Sequence, residues 1–319
     1  MSVIVDVQDL CKTYRKARQP ALDHLSFQVE EGAIYAFVGP NGAGKTTTIR
    51  ILATLLSFDS GEVRIGNYQV GAQPRDVRNL IGYIPDEFGL YGEMLTSEYL
   101  EFFAGCYGIV PEKRAKMAND LLDLVGLAHR REDAVSTLSR GMRQRLGLAR
   151  ALVHDPALIV ADEPAAGLDP RARVELREIF RALQEMGKTI FLSSHVLREL
   201  DDVATHVGIV EQGRLIASGP VDTIRARLRP HRRVRITFLE AFDDAQAWLT
   251  ARSDVLTVEP IPANNGSKPV LLVTLSGDEG AVAHLLAELV GAGFLVLSYV
   301  EDRDTLESLF LNLTRGVVS

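Results

Sequence analysis

The 319-residue sequence predicts an α/β protein in two parts. Residues 1–224 are expected to form a mixed, mostly parallel sheet with helices on its faces, and residues 225–319 a smaller α+β unit of split βαβ, ferredoxin-like order. Three observations carry this. Apolar strands alternate with helical stretches along the first part, as βαβ units require. A glycine-rich turn joins an apolar strand to a helix near residue 40. Around residue 225 the composition shifts, with six arginines between Arg225 and Arg235.

The elements follow in order. Strands are expected at Val3–Val7, His24–Val29 and Ala33–Val38, then a helix at Lys45–Leu56. A strand around Ile81–Ile84 precedes the run Thr96–Val153, which has helical apolar spacing. The apolar run Leu158–Ala161 reads as a buried strand, Arg171–Met186 as a helix and Thr189–Ser193 as a strand. Val207–Val210 and Leu215–Ala217 form a hairpin across Gln212 and Gly213. The second part reads as strand Val234–Leu239, helix Phe242–Ala251, strands Val255–Ile261 and Val270–Leu275, helix Glu279–Val290 and strand Phe294–Val300. An amphipathic helix Thr305–Thr314 is expected last.

Composition excludes several classes. The net charge of −7 argues against a protein that coats nucleic acid, so no nucleic-acid partner is expected. Cys11 and Cys106 are too few and too far apart for a disulfide framework or a zinc cluster, which fits a reducing cytosol. The opening residues lack the basic and apolar regions of a secretory signal. Val282–Val300 approaches the length of a membrane span, but His284, Glu288, Gly291 and Gly293 interrupt it, and a helix followed by a strand explains it better.

Chemistry begins at the run Gly39, Pro40, Asn41, Gly42, Ala43, Gly44, Lys45, Thr46 and Thr47, which fits G-x-x-x-x-G-K-[ST] between a strand and a helix. Glycines let successive backbone N–H groups point inward as an anion nest, and the helix N-terminus adds its dipole. Lys45 supplies a full positive charge for β- and γ-phosphates, and the Thr46 hydroxyl is a ligand for Mg²⁺. A hundred residues on, the strand Leu158–Ala161 delivers Asp162 and Glu163 to the carboxyl edge of the sheet. Asp162 is expected to hold Mg²⁺, directly or through a ligating water, and Glu163 to polarise the attacking water as general base.

Leu138, Ser139, Arg140, Gly141, Met142, Arg143, Gln144 and Arg145 resemble the signature of ABC ATPases, usually LSGGQ, and lie just upstream of the acidic strand. Tyr14, Asp169 and His195 resemble that family's adenine platform, D-loop aspartate and switch histidine. With these motifs in order, residues 1–222 are identified as similar to ABC transporter ATPase subunits. The C-terminal extension resembles a branch of exporters with separate ATPase and membrane chains, often linked to drug resistance. Two departures stand out. Asp86, or its neighbour Glu87, stands where the family has a glutamine that contacts Mg²⁺ and relays to the membrane domain, the shorter aspartate reaching the metal through water, and Arg140 and Met142 replace a glycine and a glutamine in the signature.

The resemblance implies a P-loop NTPase core with an antiparallel β subdomain and a helical subdomain. It implies ATP and Mg²⁺ as ligands, and a homodimer in which Ser139, Arg140, Gly141 and Met142 cap the γ-phosphate held by the partner subunit. It implies a separate polytopic permease subunit and a cytoplasmic location, attached peripherally to the cell membrane. The aromatic stretch Leu90–Val110 is expected to help form the groove for the permease, with Phe88 and Tyr91 as contact residues. The arginine cluster is expected to be a solvated hinge, and the C-terminal unit a dimer-supporting or regulatory module. A non-transport ABC ATPase in translation or DNA repair is the alternative. Such proteins usually carry two fused cassettes or a long coiled-coil insertion, and this chain has one cassette and no sustained heptads.

Overall fold

The computed structural model describes residues 2–15, 17–86, 89, 91–194, 200, 202–228, 231–261 and 268–301. The chain divides into two compact units between Val221 and Asp222. The division expected after residue 224 falls inside a helix, Val221–Leu228, that periodicity did not reveal.

The first unit holds strands β1 (Val3–Lys12), β2 (Leu22–Glu30), β3 (Ile34–Val38), β4 (Ser60–Ile65), β5 (Tyr68–Gln69), β6 (Ile81–Ile84), β7 (Leu158–Ala161), β8 (Thr189–Ser194), β9 (His206–Glu211) and β10 (Arg214–Pro220). Its helices are α1 (Lys45–Leu52), α2 (Pro74–Leu80), α3 (Thr96–Cys106), α4 (Pro111–Leu124), α5 (Arg140–Leu152) and α6 (Pro170–Glu185), and α7 is the Val221–Leu228 helix at the division. One sheet has the order β2-β1-β4-β5 and is antiparallel. The other has the order β10-β9-β3-β8-β7-β6, parallel except at the β9–β10 hairpin.

Sequence chemistry explains the difference between the sheets. Every residue of β3, β7 and β8 is buried, as expected of parallel strands covered on both faces. β2 instead alternates buried and exposed positions like a half-solvated antiparallel strand. Between the sheets, Phe27 stacks on Tyr35 and Phe191 at centroid distances of 5.8 and 5.7 Å, and Phe37 lies 5.4 Å from both Phe27 and Phe191. The β9–β10 hairpin turns at Gln212 and Gly213 with φ of +49° and +78°, the paired positive values that match strand twist.

Two helical expectations are corrected. The helix from Lys45 ends at Leu52 rather than Leu56, because Thr54 adopts φ +62° and the amides of Leu55 and Leu56 both turn back to the Arg50 carbonyl. The run Thr96–Val153 is three α-helices, interrupted where Gly108 and Gly126 take φ of +75° and +66° and where Pro111 opens α4. The 60–80 region contributes β4, β5 and α2, which are short and lack strong periodicity.

The second unit holds β11 (Arg232–Phe238), α8 (Phe242–Thr250), β12 (Val255–Ile261), β13 (Val270–Leu275), α9 (Glu279–Gly291) and β14 (Val296–Glu301). Its antiparallel sheet has the order β12-β13-β11-β14. Val234, Ile236, Leu249, Val273, Leu285 and Leu289 form its core. The apolar stretch 282–300 is α9 followed by β14, and among the described residues no helix is long and apolar enough to cross a membrane. The Thr305–Thr314 helix lies outside the described residues.

Candidate functional site

The site is built where parallel strands end. β3 leads to the glycine loop, β7 to Asp162 and Glu163, β8 carries Ser193 near its end, and β6 leads to Asp86. These strands are neighbours in one parallel sheet, so their carboxyl-end segments converge on one edge.

In the loop, Gly39 passes so close to the Val210 carbonyl that a Cβ there would collide with it. Gly44 caps α1 with φ +104°, a left-handed conformation suited to glycine. Lys45 is buried. Its Nζ donates to the Gly39 carbonyl at 2.8 Å and the Pro40 carbonyl at 3.3 Å, and lies 3.6 Å from Glu163 Oε1. The first N–H groups of α1 have no acceptor within the helix, which leaves them available to an anion.

Asp162 is 4% exposed and accepts at one oxygen, Oδ1, from both Thr46 Oγ1 at 3.2 Å and Ser193 Oγ at 2.8 Å. Burial pushes its carboxyl above the ordinary aspartate range, the two hydroxyls pull it back, and the charges of Glu163 and Asp86 push it further up. Ser193 Oγ also accepts from the Glu163 backbone N–H at 2.9 Å. Glu163 itself has φ +47°, an uncommon conformation for a residue with a side chain, and its carbonyl accepts from Ala166 N–H at 3.0 Å. One serine hydroxyl thus ties both acidic residues to β8. The sequence reading assigned Ser193 no role; its place two residues before His195 was the available signal.

Tyr14, Asn41, Lys45, Thr46, Asp86 and Glu163 line one cleft, together with Gly42, Gly44, Thr47 and Ala166. Tyr14 is 41% exposed, and its hydroxyl lies 3.2 Å from Thr47 Oγ1. The donor set fits Mg²⁺: a hydroxyl and a buried carboxylate within hydrogen-bond reach, with Asp86 on the same cleft. Mg²⁺ binds through one or two protein oxygens plus phosphates rather than an all-protein cage. Among the described residues no cluster of three or more His, Cys, Asp or Glu side chains is placed to hold a metal. His195 lies outside the described residues; β8 ends one residue before it.

The signature residues are not among those lining that cleft. Ser139 caps α5 by accepting from Met142 N–H at 3.3 Å, so Arg140, Gly141 and Met142 form the helix tip. Asp169 caps α6 by accepting from Ala172 N–H at 2.9 Å. Within one chain, therefore, the glycine loop, Asp162 and Glu163 come together, and the signature residues at the α5 tip are not part of that cleft's lining.

A glycine loop on a helix N-terminus, facing adjacent carboxylates at the edge of a parallel sheet, defines a phosphate-binding α/β protein of the P-loop class. A family profile described as ABC transporter matches residues 22–166. The chain is 32% identical to the linearmycin resistance ATP-binding protein LnrL of Bacillus subtilis, over 98% of each chain. It is 34% identical to the bacitracin transport ATP-binding protein BcrA of Bacillus licheniformis over 99% of each. It is 33% identical to the daunorubicin/doxorubicin resistance ATP-binding protein DrrA of Streptomyces peucetius, over 97% of this chain and 92% of the relative. A solved ATP-binding subunit of an ABC transporter superposes with TM-score 0.63 at 32% identity, covering 70% of this chain and 92% of that one. A dimeric ATP-binding cassette in a post-hydrolysis state with ADP and Pi superposes with TM-score 0.62 at 26% identity, covering 68% and 98%. The chain belongs to the family of ABC transporter ATP-binding subunits.

Proposed function

We propose that this chain binds and hydrolyses ATP between two copies of itself and so powers export through a separate permease. The observation that carries the reading is the convergence of Lys45, Thr46, Asp162 and Glu163 on one strand-end edge, knit by Ser193. Lys45 exchanges its loop carbonyls for phosphate oxygens, Tyr14 supports the adenine, and Thr46 and Asp162 hold the metal, with Asp86 beside them. Mg²⁺, when bound, neutralises charge on the phosphates during transfer. Glu163 accepts the proton of the attacking water, with its backbone fixed by Ser193, and His195 holds the γ-phosphate.

The dimer reading is supported by the α5 tip, whose residues are not among those lining its own chain's cleft. Ser139, with the backbone of Arg140, Gly141 and Met142, caps the nucleotide of a partner copy, and Asp169 orders the seam between the copies. Charge-assisted contacts contribute about 1.5–3 kcal/mol each, so losing the γ-phosphate loosens the dimer by orders of magnitude. Opening and closing then move the permease. Tyr91, Phe102 and Tyr107, 57%, 46% and 46% exposed, are the described aromatics of this stretch most available to it, Tyr91 packing edge to face on Phe102, whereas Tyr99 is fully buried. Phe88 lies outside the described residues. The subunit sits on the cytoplasmic face of the membrane through this contact, and the C-terminal unit supports the dimer or regulates it. The relatives named for antibiotic resistance support the outward direction.

The test is Glu163→Gln. The variant is expected to bind ATP, form a stable ATP-dependent dimer by sedimentation and turn over at least about 100-fold more slowly. Turnover equal to wild type removes Glu163 from the chemistry, and a monomer at saturating ATP and Mg²⁺ removes the shared-nucleotide dimer.

A further inference from the structure

Arg140 opens α5 immediately after its Ser139 cap. A cation there faces the positive end of the helix dipole, which is locally unfavourable. The structure shows what the side chain meets instead. Its guanidinium lies on Gly167, in the turn that connects Glu163 to α6: a Cβ on Gly167 would stand 2.5 Å from Arg140 Cζ and Nη1 and 2.7 Å from Nη2. Near-equal approach to three guanidinium atoms means that the planar group covers the bare face of the glycine. Gly167 has φ +67°, so both its conformation and its missing side chain suit this contact.

The next residue makes a second contact of the same kind. A Cβ on Gly141 would meet the Ala172 Cβ at 2.8 Å, so the α5 backbone presses on the first turn of α6. Ala172 is also the residue whose amide Asp169 caps. The turn between is short and internally bonded, with Ala166 N–H to the Glu163 carbonyl at 3.0 Å and Leu168 N–H to the Ala165 carbonyl at 3.3 Å. A displacement at Gly167 therefore has few joints in which to dissipate before it reaches Glu163.

We propose that Arg140 is a positioning residue that clamps the α5 tip to the 164–168 turn. The tip that touches the partner's nucleotide and the turn that carries this subunit's own Glu163 then move as one. This rests on the reading that the tip faces a partner's nucleotide. Its consequence is that occupancy of one ATP site sets the general base of the other. Planarity matters more than charge in this contact, so lysine does not replace arginine.

The full-length protein tests it through ATPase saturation curves of wild type, Arg140→Gly, Arg140→Lys, Gly167→Ala and the Arg140→Gly/Gly167→Ala double variant. ATP-driven dimerisation is measured separately in the Glu163→Gln background. Wild type is expected to show a Hill coefficient clearly above ~1, which Arg140→Gly and Arg140→Lys both lower to about 1. The dimerisation midpoint in ATP is expected to move less than about threefold. Gly167→Ala, whose methyl displaces the guanidinium, is expected to abolish cooperativity equally and to change it no further in the Arg140→Gly background. A midpoint raised about tenfold or more and restored by lysine overturns the clamp and makes Arg140 a direct phosphate ligand. Additive losses of cooperativity, or a wild type with a Hill coefficient of about 1, also overturn it. A wild type with no ATP turnover removes the functional reading and the clamp with it. Turnover whose cooperativity is untouched by Arg140→Gly removes the clamp alone.

Discussion

Replacing Ser193 by alanine removes one oxygen atom and two hydrogen bonds. The hydroxyl is fully buried, donates to Asp162 Oδ1 at 2.8 Å and accepts from Glu163 N–H at 2.9 Å. The bond to a carboxylate contributes about 1.5–3 kcal/mol, and a buried amide left without its acceptor costs about 1–3 kcal/mol. Partial relaxation toward Thr46 reduces the sum, so a loss of about 2–4 kcal/mol is expected at neutral pH. The pH dependence has a definite sign. Burial raises the Asp162 carboxyl, so between the ordinary aspartate range and its own titration the native state holds a proton that the unfolded chain has released. Its contribution to stability therefore falls as pH rises through that window and is level above it. Without the Ser193 donor the carboxyl rises further, so the penalty of the variant shrinks as the solution is acidified and Asp162 becomes neutral in both proteins.

The assay uses the chain's single tryptophan. Trp248 lies in the C-terminal unit, 5.7 Å from Phe294 and 4.8 Å from the Arg252 guanidinium, so its fluorescence reports that unit. Far-UV circular dichroism reports both units, with most helix in the first. Ser193→Ala is expected to move the dichroism transition in urea to lower denaturant and leave the Trp248 transition in place. It also lowers kcat by about tenfold or more through the displaced Glu163 backbone. A variant as stable as wild type at neutral pH, or a penalty that grows on acidification, refutes the reasoning.

Two further outcomes are expected. Tyr14→Ala removes a stacking face at the cleft and raises the KM for ATP by about 5–160-fold, corresponding to ~1–3 kcal/mol, with kcat nearly unchanged; an unchanged KM removes Tyr14 from adenine binding. Leu249→Ala deletes a fully buried side chain of the C-terminal core and destabilises that unit by about 2–5 kcal/mol in Trp248-monitored unfolding; a shift below ~1 kcal/mol contradicts the packing.

Much of the site was legible before the fold. A glycine loop between strand and helix, and an apolar strand ending in Asp162 and Glu163, announce themselves because phosphate chemistry demands particular residue types at fixed local spacing. The hairpin at Gln212–Gly213 and the strands Leu158–Ala161, Val255–Ile261 and Val270–Leu275 were readable for the same local reason. The loss of helix at Thr54 was not, because a left-handed threonine is fixed by its surroundings rather than by propensity. Nor were β4, β5 and α2, whose brevity leaves too little period to detect.

By itself the sequence determined the glycine loop, Lys45 and the adjacent acids Asp162 and Glu163, and the alternation of elements that delivers them to strand ends. Only the tertiary structure decided what joins them. Strand order placed β8 between β3 and β7, and that adjacency brings Ser193 to both acidic residues across a separation of about thirty positions. Helix packing likewise set the Arg140 guanidinium on Gly167. Residue spacing encodes contacts made within one turn or one strand, whereas contacts between elements depend on how buried faces pack, and that is settled by the whole core at once.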